Sequence, residues 1–420
     1  MNKILCVAAA LLALLGSAVP LPGQSYRSFE DEVAAIEGVR LRLGPLRLIP
    51  RFRLTEAGYD SNVYYRGDGG EVVHDATATL SPELLGFCRL GRSAILSFAE
   101  NPEYLFYARE KDLRAFTNSV SAGLRLRLLR RFSLSGDYHV QSHVRRSLNE
   151  LGRRIRDTST GGTAALFFET PRGTAFGITG RLGDYRYKDV ATDAPDDIYG
   201  LSLDRRETSA GLEAYYRVFS ASRFFAIVEW TRFTFVHPES VWRDAESIEA
   251  AGGLLFPLTG RARGTIRLGW KSFRPEAAER KPFFGLVAAT EVAVRLGRVG
   301  IKLGYGRDNA FSYIENAYYY IDSRARANLS IYVAPFLRLD AGVQLGSMTY
   351  PEPQTVWTEG GFVVIDRRHD DERILSTGPV VRLGGTVGLG LTFNIYARDS
   401  NAPGFDIRRD FIGAFVTYEF

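Results

Sequence analysis

The side chains able to do chemistry in this chain are scattered rather than gathered. The histidines stand at His74, His139, His143, His237 and His369. His139 and His143 are four apart, which on a strand puts them on one face two pleats from each other, and no further ligand stands at metal-binding spacing. Ser142 precedes His143, but neighbouring strand residues point to opposite faces. No glycine-flanked serine elbow is present either, so no hydrolase triad forms. Gly67-Asp68-Gly69-Gly70 lacks the strand–loop–helix setting and the Lys-Ser/Thr pair of a phosphate loop. Asp60, Asp68 and Asp75 read as solvated loop acids in preference to a calcium site. Cys6 lies in the N-terminal apolar stretch and Cys88 stands alone beyond it, which excludes an internal disulfide and a cysteine metal cluster once that stretch is removed. The expectation is a non-enzymatic protein with no metal and no cofactor.

The informative charges sit at alternate positions inside long segments whose other positions are apolar. Arg263, Arg267 and Lys271 share one such segment and Arg324 and Arg326 another. Unpaired charges cannot occupy a dry core, but they can line a water-filled lumen. Alternation places inward Arg47, Arg51, Arg53, Arg125, Arg127, Arg181, Arg217, Arg263, Arg267, Lys271, Arg295, Lys302, Arg324, Arg326, Arg338 and Arg382. The fewer inward acids include Glu83, Asp137, Glu207, Glu213, Glu229, Glu249, Glu291, Asp340 and Glu419. A net-positive wall favours anionic solutes or acidic polymer; the alternative is that the charges pair across strands and fill the interior. Tyr185, Tyr187, Tyr215 and Tyr332 offer sugar-stacking surfaces there. The formal net charge is +5, with basic and acidic residues interspersed and no compact basic cluster, so nucleic acid is not an expected partner.

The elements that must carry these residues are long strands joined by tight turns. The turns read Leu90-Gly91-Arg92-Ser93, Leu129-Arg130-Arg131-Phe132, Thr170-Pro171-Arg172-Gly173, Ser220-Ala221-Ser222-Arg223, Leu258-Thr259-Gly260-Arg261, Leu296-Gly297-Arg298-Val299, Ala334-Pro335-Phe336-Leu337 and Leu383-Gly384-Gly385-Thr386. They recur roughly every 40 to 50 residues, the length of a hairpin of two long strands plus a long loop. Around them the apolar and polar positions alternate. Val120, Ala122, Leu124, Leu126 and Leu128 oppose Ser119, Ser121, Gly123, Arg125 and Arg127; Val387, Leu389, Leu391, Phe393 and Ile395 oppose Gly388, Gly390, Thr392, Asn394 and Tyr396. Segments of about 10 to 14 residues exceed the strands of a soluble sandwich and match a tilted membrane-crossing strand. One strand on each side of every turn, with Leu46 to Tyr59 before and Arg409 to Phe420 after, predicts an all-β, antiparallel up-and-down transmembrane barrel of about 18 strands, within a range of 16 to 20. The longer connections include 66–74, 141–158, 184–206, 306–322 and 349–373. The rule of short periplasmic turns and long outer loops puts them outside. The stretch 184–206 is the candidate for an inward constricting loop, and Tyr187, Trp230, Trp270 and Tyr305 suit an interfacial girdle.

Residues 1–24 read as a secretory signal peptide, with Lys3, an apolar core from Ile4 to Leu15 and small residues at Gly16, Ser17 and Ala18. Residues 25–44 read as a periplasmic N-terminal segment. Phe29, Val33 and Ile36 fall on one helical face there, which docks a partner or folds into the lumen; a disordered leader is the alternative. Residues 45–420 are the barrel. Its last residues run from Gly413 to Tyr418 and Phe420, an alternating, aromatic-ended strand that resembles the assembly signal of outer-membrane barrels. The expected partners are outer-membrane lipid and the β-barrel assembly machinery, in a Gram-negative bacterium.

Gly58-Tyr59-Asp60-Ser61-Asn62-Val63-Tyr64-Tyr65 closes the first strand with a Tyr-Asp-Ser-Asn-aliphatic pattern. This resembles the opening strand of the putative β-barrel porin family, outer-membrane proteins often linked to exopolysaccharide secretion, and the overall plan extends the likeness over nearly the whole chain. The resemblance implies a porin-sized barrel that helps export an exopolysaccharide together with a periplasmic polysaccharide-export protein. It supplies no catalytic residues; Tyr59, Asp60, Ser61 and Asn62 match its motif without a chemical role. The alternatives to export are a passive diffusion porin for small anions and a structural or adhesive barrel.

Overall fold

A computed structural model describes residues 29–419 apart from 69, 145–149, 151–153, 190–201, 220, 221, 260, 315, 316, 359 and 360. The segment 1–24, expected to be a signal peptide, and the terminal Phe420 lie outside the described residues, as does the middle of the 184–206 connection.

The wall begins with β2 (Leu46–Asp60), β3 (Asp75–Leu90), β4 (Ala94–Tyr107), β5 (Ala115–Leu129), β6 (Phe132–Val144) and β7 (Ile155–Glu169). It continues with β8 (Ala175–Asp189), β9 (Arg205–Arg217), β10 (Arg223–Phe235), β11 (Ala245–Thr259), β12 (Ala262–Pro275) and β13 (Phe283–Leu296). It ends with β14 (Val299–Phe311), β15 (Tyr319–Ala334), β16 (Leu337–Thr349), β19 (His369–Leu383), β20 (Val387–Ser400) and β21 (Ile407–Glu419). Each pairs antiparallel with the next, and β2 pairs with β21 to close the ring. With the short β1 (Leu41–Leu43) set aside, the sheet has the eighteen strands expected from the turn count. A hairpin of β17 (Gln354–Thr358) and β18 (Gly361–Ile365) stands apart within the connection from β16 to β19.

The barrel is apolar outside and polar inside, the reverse of a soluble domain. Leu182, Leu212, Leu268, Leu345, Leu391 and Ile412 all point outward and are exposed. An apolar belt of this extent would aggregate in water; hydrocarbon is its natural neighbour, and closure of the ring leaves the sheet no free edge in it. No helix among the described residues is long and apolar enough to cross a membrane. Gly91, Gly297 and Gly384 sit in tight turns with φ of 64°, 60° and 59°, the left-handed conformation that a side chain disfavours.

One irregularity matters for the seam. The register of β2 shifts against both neighbours around Thr55 to Gly58, and Glu56 takes φ 52°. This bulge inserts one residue, so side chains that alternate inward at Arg51 and Arg53 resume inward at Asp60. Beyond it Gly58 faces Gly413 across the seam. A Cβ on Gly58 would lie 2.1 Å from the Ile412 carbonyl oxygen, so the first and last strands meet at a distance only glycine permits.

The N-terminal segment forms helix α1 (Phe29–Glu37). Phe29, Val33 and Ile36 pack on Ile49, Leu85, Phe87 and Ile95, inward residues near the turn end of β2, β3 and β4. Glu32 pairs with Arg125 at 2.7 Å and Glu37 with Arg89 at 2.7 Å, while the Arg127 guanidinium lies 4.4 Å from the Phe29 ring centre. The helix therefore lies inside the barrel at its turn end.

Candidate functional site: the lumen wall and its two mouths

Strand register decides which charges share the lumen. Its middle belt is a lattice of ion pairs. Arg181 meets Glu229 at 2.6 Å, Arg267 meets Glu249, and Lys271 meets Asp308 at 2.9 Å. Arg324 reaches Asp322 at 2.8 Å and Glu372 at 2.6 Å. Arg51 bridges Glu83 at 3.2 Å and Glu419 at 3.4 Å, with Arg53 at 3.8 Å from Glu83. Toward the turn end, Arg217 lies 3.9 Å from Glu169, and Glu213 accepts a hydrogen bond from the Tyr215 hydroxyl. Asp137 stands inward on β6, opposite Gly123. Arg326, on the inward face of β15, has no ion-pair partner among the described residues. In this belt most cations stand beside a carboxylate.

The loop end is built differently. Phe233 and Phe235 end β10, and Phe311 ends β14 across the lumen; their ring centres lie 5.2 and 5.0 Å from that of Phe311. Tyr187 meets Tyr313 at 5.7 Å, and Arg205 stacks 5.1 Å from Phe311. Ser312 to Ile314 and Ala317 to Tyr318, in the connection after β14, therefore bend into the mouth. Glu150, from the connection after β6, accepts hydrogen bonds from the Ser312 hydroxyl at 2.6 Å and the Tyr313 backbone N–H at 2.8 Å. The Arg368 guanidinium donates to the Glu150 carbonyl and holds Asp370 at 2.6 Å. Arg243 donates to the carbonyls of Ser312 and Ile314. β6 and β15 stand on nearly opposite sides of the ring, so these bonds span the mouth. Arg243, Arg368 and Asp370 are fully buried. Burial pushes the Glu150 carboxyl above the usual glutamate range, against the pull of its donors and of Arg368.

Tyr187, expected in the outer girdle, is instead an inward residue buried in this cap. A one-residue step along a strand exchanges lipid for lumen, so proximity to a strand end was not enough to assign it. Tyr185 packs against the same cap, and Tyr215 is buried beside Phe167 and Phe225. These three rings are occupied by protein rather than offered to sugar. Trp270 and Tyr305 face outward.

One side of the turn end carries the reverse pattern. On the wall from β12 to β20, a hollow of about 670 Å³ is lined by Arg261, Arg263, Arg295, Lys302, Arg338 and Arg382, with Asp340 its one carboxylate. Tyr332 lies between Arg295 at 4.9 Å and Arg338 at 6.0 Å.

The Tyr-Asp-Ser-Asn motif ties the seam at the loop end. Asp60 is buried and holds Arg409 of β21 at 2.7 to 3.0 Å through both oxygens. Asn62 donates to the carbonyls of Arg66 and Arg408, and Ser61 exchanges bonds with Asp410. Asp75 accepts from the backbone N–H groups of Arg109 and Glu110. Asp60 and Asp75 are thus committed to the fold, and among the described residues no cluster suited to a metal ion occurs. Sequence reasoning missed Glu150, Arg243 and Arg368, because they lie in connections where alternation gives no orientation.

The model of the family described as Putative beta-barrel porin 2 matches residues 35–420. No curated protein matches the chain. Among solved structures, the outer membrane protein OpdK from Pseudomonas aeruginosa is 12% identical, with a TM-score of 0.47 over 89% of this chain and 98% of its own. A BenF-like porin from Pseudomonas fluorescens is 12% identical, with a TM-score of 0.49 over 90% and 99%. OccK2 (OpdF) of Pseudomonas aeruginosa, solved in complex with glucuronate, is 16% identical, with a TM-score of 0.46 over 89% and 98%.

Proposed function

The chain belongs to the Putative beta-barrel porin 2 family, an outer-membrane β-barrel of porin type, and from that premise we propose that it is a passive channel for small anionic solutes in a Gram-negative outer membrane. The observation that carries this reading is the excess of cations on the turn-end wall, six against one carboxylate around a single hollow. Where low-dielectric walls border water, charges of one sign raise the local concentration of the opposite ion. The paired belt at mid-height adds polarity without adding field. The contacts across the loop end favour small solutes over a polymer, whose passage needs a continuous wide path. Export of an exopolysaccharide with a periplasmic partner, the other expectation from the sequence, has no specific feature of the wall in its favour.

The test is the reversal potential of the purified full chain in planar bilayers under a potassium chloride gradient. The reading predicts a potential of the sign that marks chloride as the favoured ion. A cation-selective current, or a barrel that inserts and stays silent, overturns it.

A further inference from the structure

Resting on the anion-channel reading, we propose that the turn-end hollow is a binding site for a compact solute bearing two or more negative charges, the chemistry shared by polycarboxylates and phosphate esters. Three observations converge. The cations come from separate strands, Arg263 on β12, Arg295 on β13, Lys302 on β14, Arg338 on β16 and Arg382 on β19, so the fold gathers them where no single segment would. The one carboxylate is already engaged: Asp340 accepts from Arg338 at 2.7 Å and from the Ser330 hydroxyl at 2.7 Å. Among the described residues, Lys302 and Arg382 have neither a side-chain ion pair nor a side-chain hydrogen bond. A monovalent anion satisfies one such charge, whereas a divalent or trivalent one balances several and draws on each.

The space suits a small molecule. Gly300, Gly342 and Gly378 recess the floor, and about 670 Å³ lies within the usual range of ligand sites. A Cβ on Gly342 would lie 2.5 Å from the Ser376 hydroxyl and 2.6 Å from the Asn328 side-chain oxygen. Bare backbone there lets these neutral groups stand beside the cations as hydrogen-bonding partners for a solute. Stacking on Tyr332 holds the guanidiniums of Arg295 and Arg338 in place before a ligand arrives. The comparable hollow higher in the wall is lined by Glu249, Glu291, Asp308 and Asp322 beside Arg267, Arg307, Arg324 and Arg326. Its near balance of charge gives no comparable pull on a multiply charged anion.

The experiment adds citrate, glycerol 3-phosphate or acetate to the turn side of the full chain in planar bilayers and measures half-blocking concentrations of the chloride current. Calorimetry of citrate binding to the detergent-solubilised chain runs in parallel. Expected is block by citrate at a concentration at least about tenfold below that of acetate, and weakening of that block by about tenfold in the double variant Lys302→Gln, Arg382→Gln; each tenfold step corresponds to about 1.4 kcal/mol. Block by citrate alone identifies a polycarboxylate site, and equal block by glycerol 3-phosphate identifies a site that counts charge. An anion-selective current with no preference for citrate over acetate overturns the site and leaves the channel reading standing. A current that is absent or cation-selective removes the channel reading; calorimetry then decides the site, and no heat of citrate binding overturns it.

Discussion

At the loop end, β10 and β14 deliver Phe233, Phe235 and Phe311 into one apolar mass, and the buried Glu150, Arg243 and Arg368 tie the connections together there. At the turn end, the same wall presents Lys302 and Arg382 to open space, with room beside them for a solute. Both ends are rich in arginine; the loop end spends that charge on the protein itself, and the turn end does so beneath α1, where Arg125 meets Glu32 and Arg89 meets Glu37, but not at Lys302 and Arg382 among the described residues. The difference follows from the connections. Long connections have enough chain to fold back across the mouth and supply partners, whereas a turn of two to four residues places its flanking side chains at the rim and nothing above them. Charge is structural where a loop or α1 supplies a partner, and available at Lys302 and Arg382, where among the described residues neither does.

The contrast can be broken first at the seam. Asp60→Ala leaves Arg409 buried without its carboxylate, which should cost about 3–5 kcal/mol, read as a lower urea midpoint for the chain folded in lipid vesicles. Lys302→Ala at the turn end should change that midpoint by no more than about 0.5 kcal/mol. Similar losses in the two variants would erase the distinction between fixed and free charge.

Between the two ends, the assignment of faces is checked by Leu391→Arg and Thr392→Arg. The first puts a cation into the apolar belt and should cost about 2–4 kcal/mol if it lies near mid-bilayer, whereas the second adds one to a wet wall and should cost far less. Equal losses would contradict the register that places Leu391 outward and Thr392 inward.

A smaller effect concerns acidity at the loop end. Burial raises the Glu150 carboxyl above its ordinary value of 4.5, so the folded cap holds a proton more tightly than the unfolded chain. Its contribution to stability is fully present below the ordinary value and is lost as pH rises through the raised one. Acidification is therefore expected to tighten the cap, seen as slower hydrogen exchange at the Tyr313 amide relative to a wall amide such as that of Leu391. Glu150→Gln should remove the pH dependence; a cap that loosens on acidification would reverse the sign argued here.

Much of this architecture was legible in the sequence because a strand has only two faces. Once Val120, Leu124 and Leu128 declare the oily side, Arg125 and Arg127 must be inside, and the recurring turns give the strand number. Phe29, Val33 and Ile36 marked the apolar face of α1 by their helical spacing. The loop end was not legible. Glu150 meets Ser312 across 162 positions of chain, and no periodicity connects them. For Tyr187 the sequence allows both an outer girdle and an inward sugar-facing place, and the register turns it inward into the cap. The motif around Asp60 was visible as a pattern, but its partner Arg409 lies 349 positions away and only closure of the ring brings the two together.

The most direct test of the asymmetry uses single cysteines in a Cys88→Ser background, one at Lys302→Cys and one at Ser312→Cys, in chains inserted with known orientation in a bilayer. A charged, water-soluble thiol reagent is added to the turn side and the current followed. The account predicts rapid modification at position 302, with a step change in current, and slow or no modification at position 312 within the cap. Rapid modification at 312, or protection at 302, would contradict it.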